Sequence, residues 1–221
     1  MRKDLPERYY NSEREEMLEL VPMGARRILE VGCANGRFSA LIKQRQPAEI
    51  WGIELEAEAA TAAAERLDKV IQGDVHKILP GLPEAGFDCV ICNDVLEHLP
   101  DPDPVLAALA SKLTESGVVV ASIPNIRYLP VLFELLVLKD FRYGDWGVLD
   151  RTHLRFFTRK SIRRMFTTAG FEVQTMRGIQ MPRVSIWEHL AFLLAGILTL
   201  GYYSDCSYIQ FGCVARRSIR V

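Results

Sequence analysis

The chain has 221 residues and a formal net charge of −1, a length that suits one domain with a modest insertion. Apolar residues make up 49% of the chain and charged residues 25%, so the composition predicts a sizeable core and excludes global disorder. A net charge near zero also argues against bulk nucleic-acid binding and against a polyanionic substrate.

The start of the chain and its cysteines bear on the compartment. The first four residues, Met-Arg-Lys-Asp, lead into polar sequence, which predicts no secretory signal peptide. The five cysteines have no framework spacing, so we expect a reduced, cytoplasmic protein. Cys89 and Cys92 lie three residues apart on one predicted strand, where they would point to opposite faces. We therefore predict two core cysteines rather than a zinc site.

Apolar runs alternate with helical patterns along most of the chain. After a leading helical pattern at Met17, Leu18 and Val21, the apolar runs predict strands at residues 27–31, 49–55, 69–72, 86–92, 117–123, 171–175 and 208–215. Strands that alternate with helices indicate a parallel sheet with helices on both faces. The fold class predicted is α/β: one doubly wound, Rossmann-like domain over residues 1–221, with six parallel strands and the last one antiparallel.

Two apolar segments stand outside this alternation. Residues 124–157 contain a strongly apolar run at 128–138 and an aromatic, glycine-rich loop, and we expect them to form a lid over an acceptor. Residues 186–200 are too short to span a bilayer. We predict a helix there that packs on the body or in a homodimer interface, with contact to a membrane surface or to a lipid tail as the alternative.

A glycine-rich turn, Glu30-Val-Gly-Cys-Ala-Asn-Gly36, follows the first predicted strand and opens a helix. Gly32 permits a sharp turn, and Gly36 would let a ligand approach the start of the helix. The spacing is not that of the dinucleotide-binding fingerprint. The carboxylate of Glu30 would repel a pyrophosphate, so the turn favours a cationic, amine-bearing ligand.

Three more polar clusters end the next three strands. Glu54 follows the glycines by about twenty residues, where a carboxylate can bind both hydroxyls of a ribose. Asp74 and Val75 close the third strand, and Asn93 to His98 close the fourth. The carboxyl ends of the strands are where open α/β sheets bind their ligands, so we predict one binding site formed by all four clusters.

These motifs resemble the class I S-adenosylmethionine-dependent methyltransferases. ILEVGCANG resembles the family's glycine-rich first motif, and FDCVICNDVLEHLPDP resembles the fourth-strand motif of ubiquinone-biosynthesis O-methyltransferases. LDRTHLRFFTRKSIRRMFTTAGFEV resembles a subgroup associated with glycan biosynthesis. Ala34 departs from the pattern, which has a glycine there, and we expect a slightly displaced loop.

The resemblance implies S-adenosylmethionine as the cofactor and assigns its contacts. Glu30 and Gly32 would hold the methionine amine and approach the sulfonium, and Arg14 could reach the methionine carboxylate. Asn93 and Val95 would line the floor beneath the methyl group. The full predicted cofactor site comprises Glu30, Gly32, Cys33, Gly36, Glu54, Leu55, Asp74, Val75, Asn93 and Val95.

Two histidines are the candidate general bases. His153 follows the predicted lid, with Asp150 able to orient it, and His98 lies nearer the cofactor motifs. The alternative for His153 is a structural residue that ties the lid to the sheet. Because some ubiquinone-type relatives use a divalent ion, Asp94 and Glu97 could also ligate a metal together with His98, but we predict none.

The predicted function is therefore methyl transfer, most simply to an oxygen of a sugar-like or lipid-linked biosynthetic intermediate. Arg151 and Arg155 could receive a phosphate of such an acceptor. Two alternatives stay open: a small aromatic or quinone-like acceptor, and a non-catalytic S-adenosylmethionine-binding partner protein. Nucleic acid is not an expected partner, because no RNA-binding module or broad basic face is visible.

Overall fold

A seven-stranded sheet organises the molecule. The computed structural model describes residues 14–179 and 204–218. The strands are β1 (Arg27–Val31), β2 (Glu49–Glu54), β3 (Lys69–Gln72), β4 (Phe87–Asn93), β5 (Leu113–Pro124), β6 (Phe171–Ile179) and β7 (Gln210–Arg217). Their order across the sheet is β3-β2-β1-β4-β5-β7-β6.

The sheet has one reversed strand. β1 to β5 pair in parallel, whereas β7 pairs antiparallel with β5 on one side and with β6 on the other. The predicted α/β class, with six parallel strands and an antiparallel last strand, is therefore confirmed. The order reverses between β1 and β4, the position at which doubly wound sheets open a crevice for ligands.

Helices cover both faces of the sheet. They are α1 (Glu15–Leu18), α2 (Arg37–Arg45), α3 (Ala57–Ala63), α4 (Val75–Ile78), α5 (Pro102–Lys112), α6 (Leu129–Leu136) and α7 (Arg159–Thr168). Short 3₁₀ turns lie at Leu79–Gly81, Leu96–His98 and Ser204–Ser207.

Alternate residues of each strand enter different cores. Ile28 belongs to the cluster on one face and Leu29 to the cluster on the other. Cys89 and Cys92 divide in the same way, and both are fully buried. The two cysteines are core residues on opposite faces, as the period of two predicts.

The C-terminal half of the sheet is held by α7. Its residues Ile162, Met165 and Phe166 are buried in the cluster that also contains Phe171 of β6. The polar and basic residues of α7 occupy the opposite side, so the helix has the amphipathic pattern that the sequence predicts.

The segment between β5 and α7 forms an outlying layer. Val131 of α6 packs against Val148 and Leu149 in a small cluster of its own. Phe133 and Leu136 on the same helix are exposed. The lid role predicted for residues 124–157 stays a prediction. Among residues 14–179 and 204–218, no helix is long and apolar enough to cross a membrane, and the predicted helix at 186–200 lies outside the described residues.

Candidate active site

One cavity of about 970 Å³ opens at the carboxyl ends of β1 to β4. This volume is at the upper end of the range of about 300–1,000 Å³ for ligand pockets, so it has room for a cofactor and an acceptor together. All but one of the predicted cofactor-binding and catalytic residues line it: Glu30, Gly32, Cys33, Glu54, Leu55, Asp74, Val75, Asn93, Val95, His98 and His153.

The turn after β1 is held by the neighbouring strand β2. The Gly32 and Cys33 amides both donate to the Ile53 carbonyl, at 2.8 and 3.1 Å. Gly32 has φ +68°, and a Cβ at this position would lie 2.6 Å from Cγ2 of Val95. A glycine is therefore required, because the loop after β1 and the loop after β4 touch at this point.

Gly36 is the predicted cofactor-binding residue that does not line the cavity. A Cβ here would lie 2.5 Å from Cδ1 of Leu67 and 3.2 Å from Cα of Ala63. The missing side chain makes room for α3 and the turn after it, and the φ of +78° also favours glycine. Packing against Ala63 and Leu67 is thus one reason for this glycine, and its role towards a ligand stays a prediction.

Glu30 is a buried acid at the floor of the cavity. It is 3% exposed, and it accepts a hydrogen bond from the Ser39 hydroxyl. Burial raises the pKa of Glu30 to about 7, while Arg14 acts in the opposite direction. A cationic group in the cavity would stabilise the carboxylate form of this residue, which is what an amine-bearing ligand would supply.

Two further carboxylates follow around the rim. Glu54 accepts from the amides of Ala34 and Glu56, at 2.8 and 2.9 Å. Asp74 accepts from the His76 amide at 2.9 Å and so caps α4, and this hydrogen bond is the main cause of the lowered pKa of Asp74. Three acids at the ends of β1, β2 and β3 make the cavity unsuited to a pyrophosphate and suited to an amine and a ribose.

Asn93, at the end of β4, has an unusual environment. Its amide oxygen and nitrogen are both buried, and neither has a hydrogen-bond partner among the described residues. Buried polar atoms without partners are costly and rare in folded proteins. Since Asn93 lines the cavity, its amide fits a ligand that supplies those hydrogen bonds.

Arg14 and Asp94 form an ion pair at the cavity wall. Arg14 Nη1 also donates to Ser122 Oγ at 2.9 Å, and Ser122 Oγ donates to Asp94 Oδ1 at 2.7 Å. Asp94 has φ +51°, a left-handed conformation that its contacts hold in place. Arg14 thus reaches the cavity, and a carboxylate already engages it there.

The imidazole rings of His98 and His153 lie together, with their centroids 4.8 Å apart. His98 Nδ1 is 3.1 Å from both the carbonyl and the hydroxyl oxygen of Thr152. The Thr152 hydroxyl donates its own proton to Asp150 Oδ1 at 2.7 Å. Both Thr152 oxygens are therefore acceptors, so Nδ1 of His98 carries the proton and Nε2 is its basic nitrogen.

His153 is the more buried of the pair. Its Nδ1 lies 3.0 Å from the Val148 carbonyl, which only accepts, so Nδ1 carries the proton here as well. The Val148 carbonyl, not the carboxylate of Asp150, orients the imidazole, which corrects the prediction for Asp150. Burial lowers the pKa of His153. The basic Nε2 lies 4.0 Å from Oε1 of Glu97.

Glu97 lies behind the two imidazoles. It is fully buried, both carboxylate oxygens lack hydrogen-bond partners within the described ranges, and burial raises its pKa to about 8. Its carbonyl accepts from the Leu154 and Arg155 amides, at 2.8 and 3.0 Å. The main chain therefore brings Glu97 and His153 together.

The structure groups a different set of possible metal ligands from the set of Asp94, Glu97 and His98 considered in the sequence. Glu97, His98 and His153 each offer a ligand atom, and these atoms lie within 4.8 Å of one another. Asp94 is engaged by Arg14 and Ser122 instead. A buried carboxylate without hydrogen bonds and two imidazoles are donors that fit a divalent cation.

The two arginines predicted to receive an acceptor phosphate do not line the cavity. Arg155 donates to the Pro100 carbonyl, and Arg151 forms an ion pair with Asp145 at 2.6 Å. Trp146 and Gln210 are among the lining residues that the sequence did not predict. Neither belongs to a motif, and only the fold brings the loop after α6 and the start of β7 to the cavity.

The sequence and the fold were compared with known proteins. A family model described as a methyltransferase domain matches residues 1–176. The ubiquinone biosynthesis O-methyltransferase of Psychrobacter arcticus is 28% identical over 179 residues, which cover 77% of this chain and 68% of that protein.

Solved structures share the whole fold at lower identity. An S-adenosylmethionine-dependent methyltransferase from Archaeoglobus fulgidus superposes with a TM-score of 0.67 at 21% identity, covering 96% of this chain and 97% of that one. The [4+2]-cyclase SpnF superposes with a TM-score of 0.63 at 18% identity, covering 95% and 86%. At these identities the likeness establishes the fold alone, and the reaction has to be argued from the site.

Proposed function

The chain belongs to the methyltransferase-domain family and is an S-adenosylmethionine-dependent methyltransferase, and from this premise we propose that it methylates a hydroxyl oxygen of a sugar-like or lipid-linked intermediate. The observation that carries the proposal is one cavity with acids at the ends of three strands and a histidine pair at its other side. The first group suits the cofactor, and the second suits an acceptor that must lose a proton.

The cofactor supplies a methyl group that is already activated on a sulfonium. On the protein side, Glu30 would hold the methionine amine, Glu54 would accept both ribose hydroxyls, and Asp74 would accept from the adenine amine. Gly32 lets the loop after β1 lie directly against Val95, because a side chain there would collide with it. These contacts position the methyl group, and placement supplies much of the acceleration in such a transfer.

His98 is the general base that the geometry favours. It lines the cavity, it is less buried than His153, and its Nδ1 faces the oxygens of Thr152, so Nε2 is the nitrogen that would take a proton from the acceptor. His153 would hold the ring of His98 in position, and Oε1 of Glu97 lies 4.0 Å from Nε2 of His153. A hydroxyl acceptor needs such a base because its proton must leave as the methyl group arrives.

The residues that line the cavity support a sugar-like acceptor. Polar side chains on the acceptor side, among them Asp150 and Gln210, are joined by Trp146, Pro124 and Ile209. Hydrogen-bonding groups mixed with apolar surface suit a ring that carries several hydroxyls. A small aromatic or quinone-like acceptor is the second candidate, favoured because the Psychrobacter arcticus relative is a ubiquinone biosynthesis O-methyltransferase.

The test is methyl transfer by variants of the two histidines. Substitution His98→Ala should lower kcat by about 10²–10⁴ because the base is lost, while S-adenosylhomocysteine affinity stays within about twofold. His153→Ala should have the smaller effect on kcat. The assay measures S-adenosylhomocysteine formed with nucleotide sugars, lipid-linked sugars and catechols as acceptors.

Three outcomes would contradict this proposal. An unchanged kcat in both variants would remove the histidines from the reaction. A rate that EDTA abolishes and Mg²⁺ or Zn²⁺ restores would replace the base with a metal held by Glu97, His98 and His153, which would lower the pKa of the acceptor hydroxyl. Methylation of catechols alone would make the second candidate the function.

A further inference from the structure

Trp146 is presented to the cavity by a loop that is closed on itself. The Gly144 amide donates to the Leu149 carbonyl at 2.8 Å, and the Arg151 amide donates back to the Gly144 carbonyl at 3.0 Å. Val148 and Leu149, which follow this tryptophan after Gly147, are buried in the small cluster that includes Val131 of α6. The loop is thus anchored on both sides of its exposed residue.

The indole itself is left uncovered. Trp146 is 75% exposed although it lines the cavity. Tryptophan is highly buried on average, and Val148 and Leu149 in the same segment do bury their side chains. An anchored loop that holds its largest apolar side chain out over a cavity presents a flat surface to whatever the cavity binds.

A second residue that lines the cavity, on a different element, has a buried oxygen atom without a hydrogen-bond partner among the described residues. Gln210, at the start of β7, is 7% exposed and lines the same cavity. Its Nε2 donates to Asp94 Oδ1 at 3.1 Å, which fixes the orientation of the amide. Its Oε1 is buried and has no hydrogen-bond partner in the part of the chain that the structure describes. This oxygen can only accept, so it calls for a ligand with a donor.

From these two residues we propose an acceptor subsite formed by Trp146 and Gln210. In it, a pyranose ring stacks on the indole, and one of its hydroxyls donates a hydrogen bond to Gln210 Oε1. The inference rests on the proposed function and narrows its acceptor to a hexose-type ring. The hydroxyl bound by Gln210 is distinct from the one that is methylated, because the methylated hydroxyl has to give its proton to the base.

The chemistry of a pyranose matches both walls. Its axial C–H groups form an apolar face with slight positive charge, which is attracted to the negative face of an indole. Its edge carries several hydroxyls, each of which can donate to a carbonyl oxygen. A planar phenol would also stack, but it offers fewer donors for Gln210 and for the other polar groups of the wall.

The experiment is saturation-transfer NMR on the full chain with bound S-adenosylhomocysteine. The probes are methyl α-glucoside, methyl α-mannoside and methyl α-rhamnoside, with 3,4-dihydroxybenzoate as the aromatic comparison. We expect saturation to reach the ring C–H protons of at least one glycoside. Trp146→Ala should abolish this signal, and Gln210→Met, which keeps the side-chain length but removes the acceptor oxygen, should weaken it at least fivefold.

The matched control is Tyr143→Ala, because Tyr143 is also exposed, at 53%, but does not line the cavity. It should leave the signal unchanged. Calorimetry of S-adenosylhomocysteine with each variant separates this inference from the function beneath it, since no binding by the wild type would refute the function itself. Normal cofactor binding with no Trp146-dependent glycoside signal, or a signal from the dihydroxybenzoate alone, would overturn the pyranose subsite.

Discussion

Ala34 holds a left-handed conformation in the loop after β1, with φ +47°. Its amide donates to Glu54 Oε2 at 2.8 Å, so the loop keeps the hydrogen bond at the expense of strain on the alanine Cβ. Left-handed backbone costs a residue other than glycine about 1–2 kcal/mol. The structure therefore has a strained residue at this position, and the displacement of the loop stays a prediction.

Replacing this alanine should stabilise the protein. Ala34→Gly removes the Cβ strain and keeps the amide, and part of the gain is offset by the larger entropy of glycine in the unfolded chain. We expect the free energy of unfolding to rise by about 0.5–1 kcal/mol, measured by urea denaturation at constant m-value. Ala59→Gly inside α3 is the matched control and should lower stability by up to about 1 kcal/mol. A less stable Ala34→Gly would show that the strain is absent.

Glu30 should make cofactor affinity depend on pH. Burial raises its pKa to about 7, above the ordinary value, so the neutral form prevails at lower pH and cannot pair with a cationic amine. Affinity should therefore rise with pH, by roughly eightfold between pH 6 and pH 7.5 if only the carboxylate form binds. Calorimetry of S-adenosylhomocysteine across this range measures it. Glu30→Gln should bind weakly at every pH, and a flat profile in the wild type would rule out the assigned contact.

At the scale of elements, α7 begins at a capping box. Thr158 Oγ1 accepts from the Ser161 amide at 3.2 Å, and Ser161 Oγ accepts from the Thr158 amide at 2.8 Å. These bonds satisfy amides that the helix itself cannot pair. They fix the start of the helix that covers β6.

Removing this cap should cost stability. Thr158→Ala is expected to lower the free energy of unfolding by about 1 kcal/mol, seen as a lower urea midpoint. Thr167→Ala deletes the same atoms at an exposed position near the other end of α7, and it should leave the midpoint almost unchanged. Equal effects of the two substitutions would mean that the cap contributes nothing.

The strands show how far periodicity predicts this fold. β1 and β3 have the predicted bounds, because each is a short apolar run with clear ends. β5 begins four residues earlier than predicted, at Leu113, since its polar residues 114–116 follow a register shift against β4. β6 continues to Ile179 rather than ending at 175, because a shift between Val173 and Thr175 interrupts the alternation. Irregular pairing is set by the partner strand and leaves no periodic signal.

At the scale of the whole molecule, the sequence predicted the cofactor side of the cavity better than the acceptor side. Glu30, Glu54 and Asp74 end strands at motif positions, so topology alone brings them together. Trp146 and Gln210 come from an insertion and from the last strand. Their meeting at one cavity depends on tertiary packing that no local pattern encodes.

At the scale of function, we propose that one cavity at the switch between β1 and β4 binds S-adenosylmethionine through the acids that line it. The variant that addresses this claim most directly is Glu54→Ala, which removes the predicted ribose contact. Glu58→Ala is its matched control, because Glu58 is exposed on the following helix and does not line the cavity. Thermal melts of both variants verify that they remain folded.

The measurement is calorimetric titration of S-adenosylhomocysteine into the wild type and both variants, with NAD as the comparison ligand. We predict micromolar-range binding by the wild type and by Glu58→Ala, a loss of about tenfold or more in Glu54→Ala, and no binding of NAD. A folded wild type that binds neither ligand, or a Glu54→Ala variant that binds as tightly as the wild type, would contradict the account.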